Sequence, residues 1–205
     1  MEIKRDLLLK KLIDSKHNGM IKVVTGVRRS GKSYLLFNLF CQHLKEEGIA
    51  ADHIVKVDLE DRRNKALRDP DALLNYIDSR MTDQQMYYIL LDQVQHVVDF
   101  EDVLNSYLKL ENADVYVTGS NSKFLSKDVI TEFRGRGDEI RVAPLSFREF
   151  ISVFQGSREK ALEEYMLYGG LPKVVTFPTV EAMMSISSSR SPSFLILYRS
   201  LMSVR

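Results

Sequence analysis

The sequence has a single cysteine, almost no net charge and no long apolar run. Cys41 alone cannot form an intramolecular disulfide or a cysteine-based zinc cluster within one chain. The 29 basic and 28 acidic residues leave a net charge of +1, which does not indicate nucleic acid or an anionic membrane as a partner, although a local basic patch stays open. No apolar stretch reaches membrane-spanning length, and Lys10 and Lys11 interrupt the short N-terminal run, unlike a signal peptide. We therefore expect a soluble cytoplasmic protein with no membrane segment.

Strand-like and helix-like segments alternate along the 205 residues. Short apolar runs predict strands at 21–25, 53–59, 87–91, 114–118 and 139–143. Helical spacing predicts helices near 8–18, 33–48, 69–81, 100–110, 124–133, 147–154 and 158–167. Strands separated by helices favour right-handed crossovers and a parallel sheet covered on both faces, which is a three-layer α/β fold. We divide the chain into an N-terminal helix (1–19), the α/β core (20–145), a helical lid-like segment (146–178) and a Ser-rich tail (179–205).

The stretch "GVRRSGKSYLL" matches the phosphate-loop pattern G-x-x-x-x-G-K-[ST] through Gly26, Gly31, Lys32 and Ser33. An apolar strand enters it and an amphipathic helix leaves it, as this motif requires. Glycines let the backbone curl so that N–H groups point inward, and the following helix adds its positive end, so phosphate oxygens are the natural ligands. The pattern predicts that Lys32 reaches the β- and γ-phosphates and that the Ser33 hydroxyl binds Mg²⁺. The predicted nucleotide-binding set consists of Gly26, Arg29, Ser30, Gly31, Lys32, Ser33 and Tyr34.

A second motif, "YYILLDQVQ", ends a strongly apolar strand with Asp92. A carboxylate at this place is typical of Mg²⁺ binding in nucleotide-binding sheets. Many phosphate-loop ATPases carry a second carboxylate directly after this aspartate, where it orients and deprotonates water. Here that position is Gln93, whose amide accepts a hydrogen bond from water but cannot take its proton. The alternative is that Gln93 is an ordinary loop residue and that Glu101 or Asp58 serves instead.

Three further residues are candidates for contacting the nucleotide. Asn121 follows the strand "DVYVT" and would position water or sense the γ-phosphate if that strand is the neighbour of the Asp92 strand; capping a helix is the alternative. Arg134 and Arg136 are candidates for contacting the γ-phosphate, within the chain or across a subunit boundary. We take Gln93, Asn121 and Arg136 as the candidate catalytic residues, and Ser33 and Asp92 as the candidate metal ligands.

With these motifs in hand, the chain resembles the AAA-type P-loop ATPases of bacteria and archaea that carry a C-terminal DUF4143 domain. The resemblance rests on "GVRRSGKSYLL", "ILLDQVQ", "VYVTGSNS", "EFRGRGDEIRVAPLSFREF" and "YGGLPKVV". It implies a P-loop core of the ASCE type with ATP and Mg²⁺ as ligands. Lys32, Ser33 and Asp92 match the family's binding positions, Asn121 its sensor-like position and Arg136 the arginine of its "GR" element. Gln93 departs from the family pattern, which usually has Glu there.

The tail differs in composition from the rest of the sequence. Residues 182–205 contain eight serines and three arginines but no lysine, glycine or acidic residue, whereas the preceding 181 residues contain all 28 acids. Family members continue with charged helices and the C-terminal domain. Our hypothesis is that the tail reflects a shifted reading frame or a truncated gene, and a flexible Ser-rich end is the alternative.

The sequence predicts an ATP·Mg²⁺-binding domain of an AAA-type ATPase whose hydrolysis is impaired at Gln93. Two alternatives stay open at this point. The first is a small-molecule or nucleotide kinase, which shares the phosphate loop but needs an acceptor pocket. The second is a non-catalytic module that uses ATP occupancy as a signal. The sequence names no protein client, gives no positive indication of nucleic acid and leaves self-association open.

Overall fold

The computed structural model describes residues 3–119 and 136–176. The chain divides into two units, one formed by Arg5–Ala143 and the other by the residues before Arg5 together with those from Pro144 onward. The first unit contains the sheet and the predicted motifs, and the second is helical.

Five parallel strands form the sheet of the first unit. They are β1 (Ile21–Thr25), β2 (Ile54–Asp58), β3 (Tyr87–Asp92), β4 (Ala113–Thr118) and β5 (Gly137–Arg141). Their order across the sheet is β2-β3-β4-β1-β5, and every paired neighbour is parallel. All six residues of β3 are buried, as expected for a strand covered on both faces. The prediction of a parallel α/β sheet is confirmed.

Helices cover both faces of this sheet. The helices are α1 (Asp6–Asp14), α2 (residues 32–46), α3 (Pro70–Asp78) and α4 (Phe100–Tyr107). On one face, Leu12 of α1 and the apolar side of α2 pack on Val24 and Leu90. On the other face, side chains of α3 and α4 pack on alternate strand residues, Val23, Val57, Ile89, Leu91 and Val117. The two apolar layers establish the three-layer arrangement.

A buried ion pair joins β1 to β4 near the amino ends of the two strands. Lys22 and Asp114 form this pair with almost no solvent exposure. Asp114 also accepts hydrogen bonds from the Tyr116 hydroxyl (2.8 Å) and from the backbone N–H of His17 (3.2 Å). Since a buried charge is tolerated only when it is paired and hydrogen-bonded, this group favours the observed register of β1 against β4.

The helix boundaries predicted from the sequence agree with the structure in part, but a π-helical segment and a 3₁₀ helix were not predicted. The predicted start of α3 is confirmed, because the Asp69 side chain accepts a hydrogen bond from the Ala72 N–H (2.9 Å) and Pro70 occupies the first turn. Helix α2 follows its predicted range, but its middle segment, Leu35–Phe40, is π-helical. The predicted loop after β2 contains a 3₁₀ helix at Arg62–Arg68. The helix predicted at 124–133 lies outside the described residues.

The helical unit consists of α5 (Phe147–Ile151), α6 (Arg158–Tyr168) and α7 (Pro172–Thr176). A capping box between Ser146 and Glu149 begins α5. The buried residues of this unit are Ile3, Leu145, Phe150, Ala161 and Val174. Gly170 approaches the backbone of Leu145 so closely that an added Cβ would lie 2.0 Å from the Leu145 carbonyl oxygen, which explains a glycine at this position. Within the described residues, no helix is both long enough and apolar enough to cross a bilayer.

Candidate functional site

The phosphate loop, residues 26–33, follows directly on β1 and leads into α2. Three of its residues have positive φ angles: Gly26 (141°), Arg29 (66°) and Gly31 (97°). A Cβ at Gly26 would lie 2.2 Å from the carbonyl oxygen of Val142, so this position accepts only glycine. The predicted curled, glycine-dependent loop is therefore present at the carboxyl end of β1.

Lys32, the first residue of α2, is buried inside this loop. Its Nζ donates hydrogen bonds to the carbonyl oxygens of Gly26 (2.9 Å) and Val27 (3.1 Å). Burial lowers the pKa of Lys32, and the nearby carboxylate of Asp92 opposes that shift. The ammonium group is thus held at the loop, next to the end of β3.

Ser30 provides a test of whether the loop suits a polar ligand. Its side chain is fully buried, and its Oγ has no hydrogen-bond partner among the described residues. An orphaned buried hydroxyl is unfavourable unless a ligand or water satisfies it. Together with the inward Lys32 and the glycine-lined backbone, this hydroxyl fits a loop that binds an oxygen-rich anion.

Asp92 ends β3 as a buried carboxylate beside the loop. The Thr118 hydroxyl donates a hydrogen bond to Asp92 Oδ1, and the Ser33 side chain lies near enough to the carboxylate to influence its pKa. Burial raises the pKa of Asp92, while the Thr118 and Ser33 side chains act in the opposite direction. The structure therefore brings the two predicted metal ligands, Ser33 and Asp92, near each other at the phosphate loop.

Gln93 follows Asp92 with a left-handed backbone (φ 57°) and a half-buried side chain. Its N–H donates to Thr118 Oγ1 (3.1 Å), and its Oε1 accepts a hydrogen bond from Gln95 Nε2 (2.6 Å). The Thr118 hydroxyl consequently connects the end of β4 to both Asp92 and Gln93. The strand pair needed for this arrangement, β3 next to β4, is the neighbour relation on which the assignment of Asn121 depended.

Three residues of the site have no distinctive sequence signal. Thr118 reads as one more β-branched strand residue, and Gln95 reads as a loop residue. Arg5 lies just before α1, yet its guanidinium donates to the carbonyl oxygens of Ser30 (3.2 Å) and Ala143 (2.8 Å). A buried cation far from a motif in sequence is recognised only once the fold brings the segments together.

The other predicted site residues are placed as follows. Asn121 and Arg134 lie outside the described residues. Arg136 is exposed and precedes β5, where its carbonyl accepts a hydrogen bond from the Ile21 N–H (2.9 Å). Ile21 begins β1, whereas the phosphate loop follows the carboxyl end of β1. Arg136 therefore lies at the amino ends of the strands and is not brought to the loop of its own chain. Arg29 is exposed, and Tyr34 is partly exposed at the start of α2.

Comparison with known proteins gives matches by sequence family and by fold. The family model described as "AAA domain" matches residues 18–151. An uncharacterized protein of Haemophilus influenzae is 37% identical over 179 residues, covering 84% of this chain and 44% of that protein. The uncharacterized protein MJ1544 of Methanocaldococcus jannaschii is 31% identical over 186 residues, covering 84% of this chain and 39% of that protein. The chain thus spans less than half the length of these relatives.

Solved structures share the fold at low sequence identity. AMPPCP-bound DnaA from Aquifex aeolicus aligns with a TM-score of 0.56 and 12% identity, over 91% of this chain and 60% of DnaA. The Orc1 protein of Aeropyrum pernix, solved in complex with DNA, aligns with a TM-score of 0.55 and 12% identity, over 98% of this chain and 66% of Orc1. The parallel sheet agrees with these matches in fold, and the family model over residues 18–151 shows that the chain belongs to the AAA domain family.

Proposed function

We propose that this chain binds ATP together with Mg²⁺ at the phosphate loop and hydrolyses the nucleotide slowly, because an amide occupies position 93. The observation that carries the proposal is the grouping of Lys32, Ser33 and Asp92 at one edge of the sheet, with Gln93 directly beside them. Membership in the AAA domain family supports an ATPase over a kinase.

Binding follows from the loop and its lysine. Backbone N–H groups of the curled loop and the N-terminus of α2 present positive partial charge to an anion. The Lys32 ammonium adds a charge-assisted hydrogen bond, which typically contributes about 1.5–3 kcal/mol. The buried Ser30 hydroxyl gains a partner when phosphate oxygens fill the loop.

The metal site uses oxygen ligands from two segments. Mg²⁺ prefers carboxylate, hydroxyl and water oxygens, and the Ser33 hydroxyl and the Asp92 carboxylate meet that preference. When bound, Mg²⁺ would neutralise charge that develops on the β- and γ-phosphate oxygens. Thr118 keeps the Asp92 carboxylate in place through its hydroxyl.

Impaired hydrolysis follows from the chemistry of Gln93. An amide has the size and shape of a glutamate side chain but does not take a proton from water, and general-base catalysis typically contributes about 10²- to 10⁴-fold to a rate. The Gln93 carbonyl oxygen already accepts a hydrogen bond from Gln95 (2.6 Å), so the side chain has a partner within its own turn. Nucleotide binding does not depend on this residue, because Lys32, Ser33 and Asp92 supply the contacts.

The binding half of the proposal is tested by calorimetry with Lys32→Ala. We expect ATP affinity to fall by about 10- to 100-fold, equivalent to the loss of one charge-assisted hydrogen bond, without unfolding of the domain. Lys45→Ala is the matched control, since Lys45 is an exposed lysine at the other end of α2. Equal ATP affinity in the Lys32→Ala variant and the wild type would remove the phosphate-loop assignment.

The hydrolysis half is tested with Gln93→Glu. We expect ATP turnover to rise by at least about tenfold with little change in ATP affinity, as part of the general-base effect is recovered. Gln84→Glu is the control, because it makes the same substitution at an exposed glutamine that precedes β3 and lies outside the site. If Gln93→Glu is no faster than the wild type, the missing base is not the cause, and Asn121 and Glu101 become the residues to test.

A non-catalytic role for ATP binding is the second candidate. The engaged amide of Gln93 favours it, since an ATP-loaded domain that does not turn over would persist in one state. Tight ATP binding with no turnover in either the wild type or Gln93→Glu would support this candidate over an impaired ATPase.

A further inference from the structure

Arg5 links the start of α1 to the phosphate loop. The residue precedes α1 and is 7% exposed, and its Nη1 donates to the carbonyl oxygen of Ser30 at 3.2 Å. Its Nη2 donates to the carbonyl oxygen of Ala143 at 2.8 Å. One guanidinium therefore joins three segments that are distant in sequence.

The hydrogen bond to Ser30 bears on the anion-binding side of the loop. In a planar trans peptide, the C=O of Ser30 and the N–H of Gly31 point in opposite directions. A donor that holds the Ser30 carbonyl from behind therefore directs the Gly31 N–H away from Arg5. Gly31 has a left-handed φ of 97° and no side chain that could restrict its backbone. The orientation of the Ser30–Gly31 peptide therefore depends on a contact from outside the loop.

The hydrogen bond to Ala143 fixes the position of the Arg5 guanidinium. Val142, the preceding residue, donates its N–H to the Thr25 carbonyl oxygen (2.8 Å), directly before the loop. The Val142 carbonyl oxygen also lies against Gly26. Arg5 thus connects the loop to a segment that already contacts the other end of the loop.

The chemistry of this position requires arginine rather than lysine. A guanidinium presents donors in a rigid planar fork, so it can reach two carbonyl oxygens in a fixed relative orientation. A lysine ammonium keeps the charge but sits at the end of a flexible stem without that planar geometry.

We infer that Arg5 is a positioning residue of the phosphate loop, which orients the Ser30–Gly31 peptide so that the Gly31 N–H faces a bound phosphate. This inference rests on the proposed nucleotide binding for its functional consequence. Arg5 acts through the loop backbone and not on the γ-phosphate, so its loss weakens ATP and ADP binding to the same extent.

The experiment compares Arg5→Met with Lys4→Met, which removes the same charge from the exposed neighbouring residue. The first measurement is the ¹⁵N–¹H signal of Gly31 in the nucleotide-free protein. We expect this signal to move in Arg5→Met and to stay in place in Lys4→Met, while signals of the strand residues remain. A role limited to general stability would not single out Gly31.

The second measurement is affinity for ATP and ADP. We expect Arg5→Met to weaken both by about tenfold, the size of one lost hydrogen bond to a charged group, and Lys4→Met to change neither. If Arg5→Met does not fold, Arg5→Lys takes its place, and we expect the Gly31 signal to move there too, because the planar fork is lost.

A folded Arg5 variant with an unmoved Gly31 signal and unchanged affinities would overturn the inference, as would a loss of ATP affinity alone with ADP affinity retained. A wild-type protein that binds no nucleotide would overturn the proposed function instead. In that case the Gly31 signal would still decide whether Arg5 orients the loop.

Discussion

Lys32 and Asp92 are both buried ionisable residues. Because burial disfavours a charged group, it lowers the pKa of Lys32 and raises the pKa of Asp92. The pKa of Asp92 is raised above that of an exposed carboxyl group, so the folded state binds the proton more tightly than the unfolded chain does. At pH values above the usual carboxyl pKa, ionised Asp92 therefore lowers the free energy of unfolding. The lost stability is regained as the pH falls and Asp92 becomes protonated. The carboxylate that we propose as a Mg²⁺ ligand thus lowers the stability of the fold, as functional groups often do.

We expect Asp92→Asn to stabilise the nucleotide-free protein by about 0.5–2 kcal/mol at pH 7, since asparagine still accepts the Thr118 hydrogen bond without the buried charge. The same variant should lose the Mg²⁺-dependent part of its ATP affinity. Thermal unfolding and calorimetry with and without Mg²⁺ measure the two effects. Asp102→Asn, on the exposed side of α4, serves as the control. A variant less stable than the wild type would contradict this account of the Asp92 carboxylate.

Sequence reasoning found the residues of the site that belong to a local pattern. Lys32 and Ser33 follow from the spacing of two glycines, and Asp92 follows from its place at the end of an apolar strand. Thr118 and Arg5 were missed because their roles depend on which strands are neighbours and on where the chain ends of the first unit meet. Such contacts leave no periodic signal in the sequence.

At the scale of secondary-structure elements, the strands were predictable because their apolar runs are short and continuous, as burial on both faces requires. The π-helical middle of α2 was not, since Leu35, Leu36, Leu39 and Phe40 also fit the ordinary helical spacing. The 3₁₀ helix at Arg62–Arg68 was not predicted either, because its charged sequence carries no apolar pattern.

A histidine between two carboxylates joins the segments that lead into β2 and β3. His53 ends a short 3₁₀ helix, with Nδ1 at 2.9 Å from Asp52 and Nε2 at 3.2 Å from Asp83. Its ring stacks on Tyr87, with 4.5 Å between the ring centroids. The hydrogen bond with Asp52 raises the pKa of His53, burial opposes the shift, and Asp83 adds to it.

This arrangement predicts a pH-dependent contribution to stability. Because the folded pKa of His53 is raised, its contribution is fully present below the ordinary histidine pKa of about 6.5 and is lost as the pH rises through the folded value. We expect the wild type to exceed His53→Gln in melting temperature near pH 6 and the difference to shrink toward pH 9. His96→Gln, at an exposed histidine outside this cluster, is the control variant. A difference that grows with rising pH would contradict the assignment.

At the scale of the whole molecule, the position of Arg136 limits how it can act. The residue lies at the amino end of β5, across the sheet from the phosphate loop of its own chain. A contact between Arg136 and a γ-phosphate therefore requires a second copy of the chain, one of the two arrangements predicted from the sequence. Such a contact would make self-association depend on the bound nucleotide.

We expect sedimentation to show more self-association with ATP and Mg²⁺ than with ADP, and we expect Arg136→Ala to abolish that difference. The physical reason is that only ATP offers the additional phosphate charge to an arginine from a neighbouring copy. Arg80→Ala is the control, because Arg80 is an exposed arginine that follows α3 and belongs to neither β5 nor the phosphate loop. Identical association of the wild type in ATP and ADP would exclude this role for Arg136.

The place of β1 in the sheet also affects how the protein is made. The two neighbours of β1 are β4 and β5, and β4 begins only at Ala113. At a translation rate of about 5–20 residues per second, β1 waits roughly 4–18 s on the ribosome before a partner strand exists. The phosphate loop has no paired strand to support it during that time, so the loop is not yet formed in the early nascent chain. The apolar segment Ile21–Thr25 stays available to chaperones or to other unfolded chains until β4 has been synthesised.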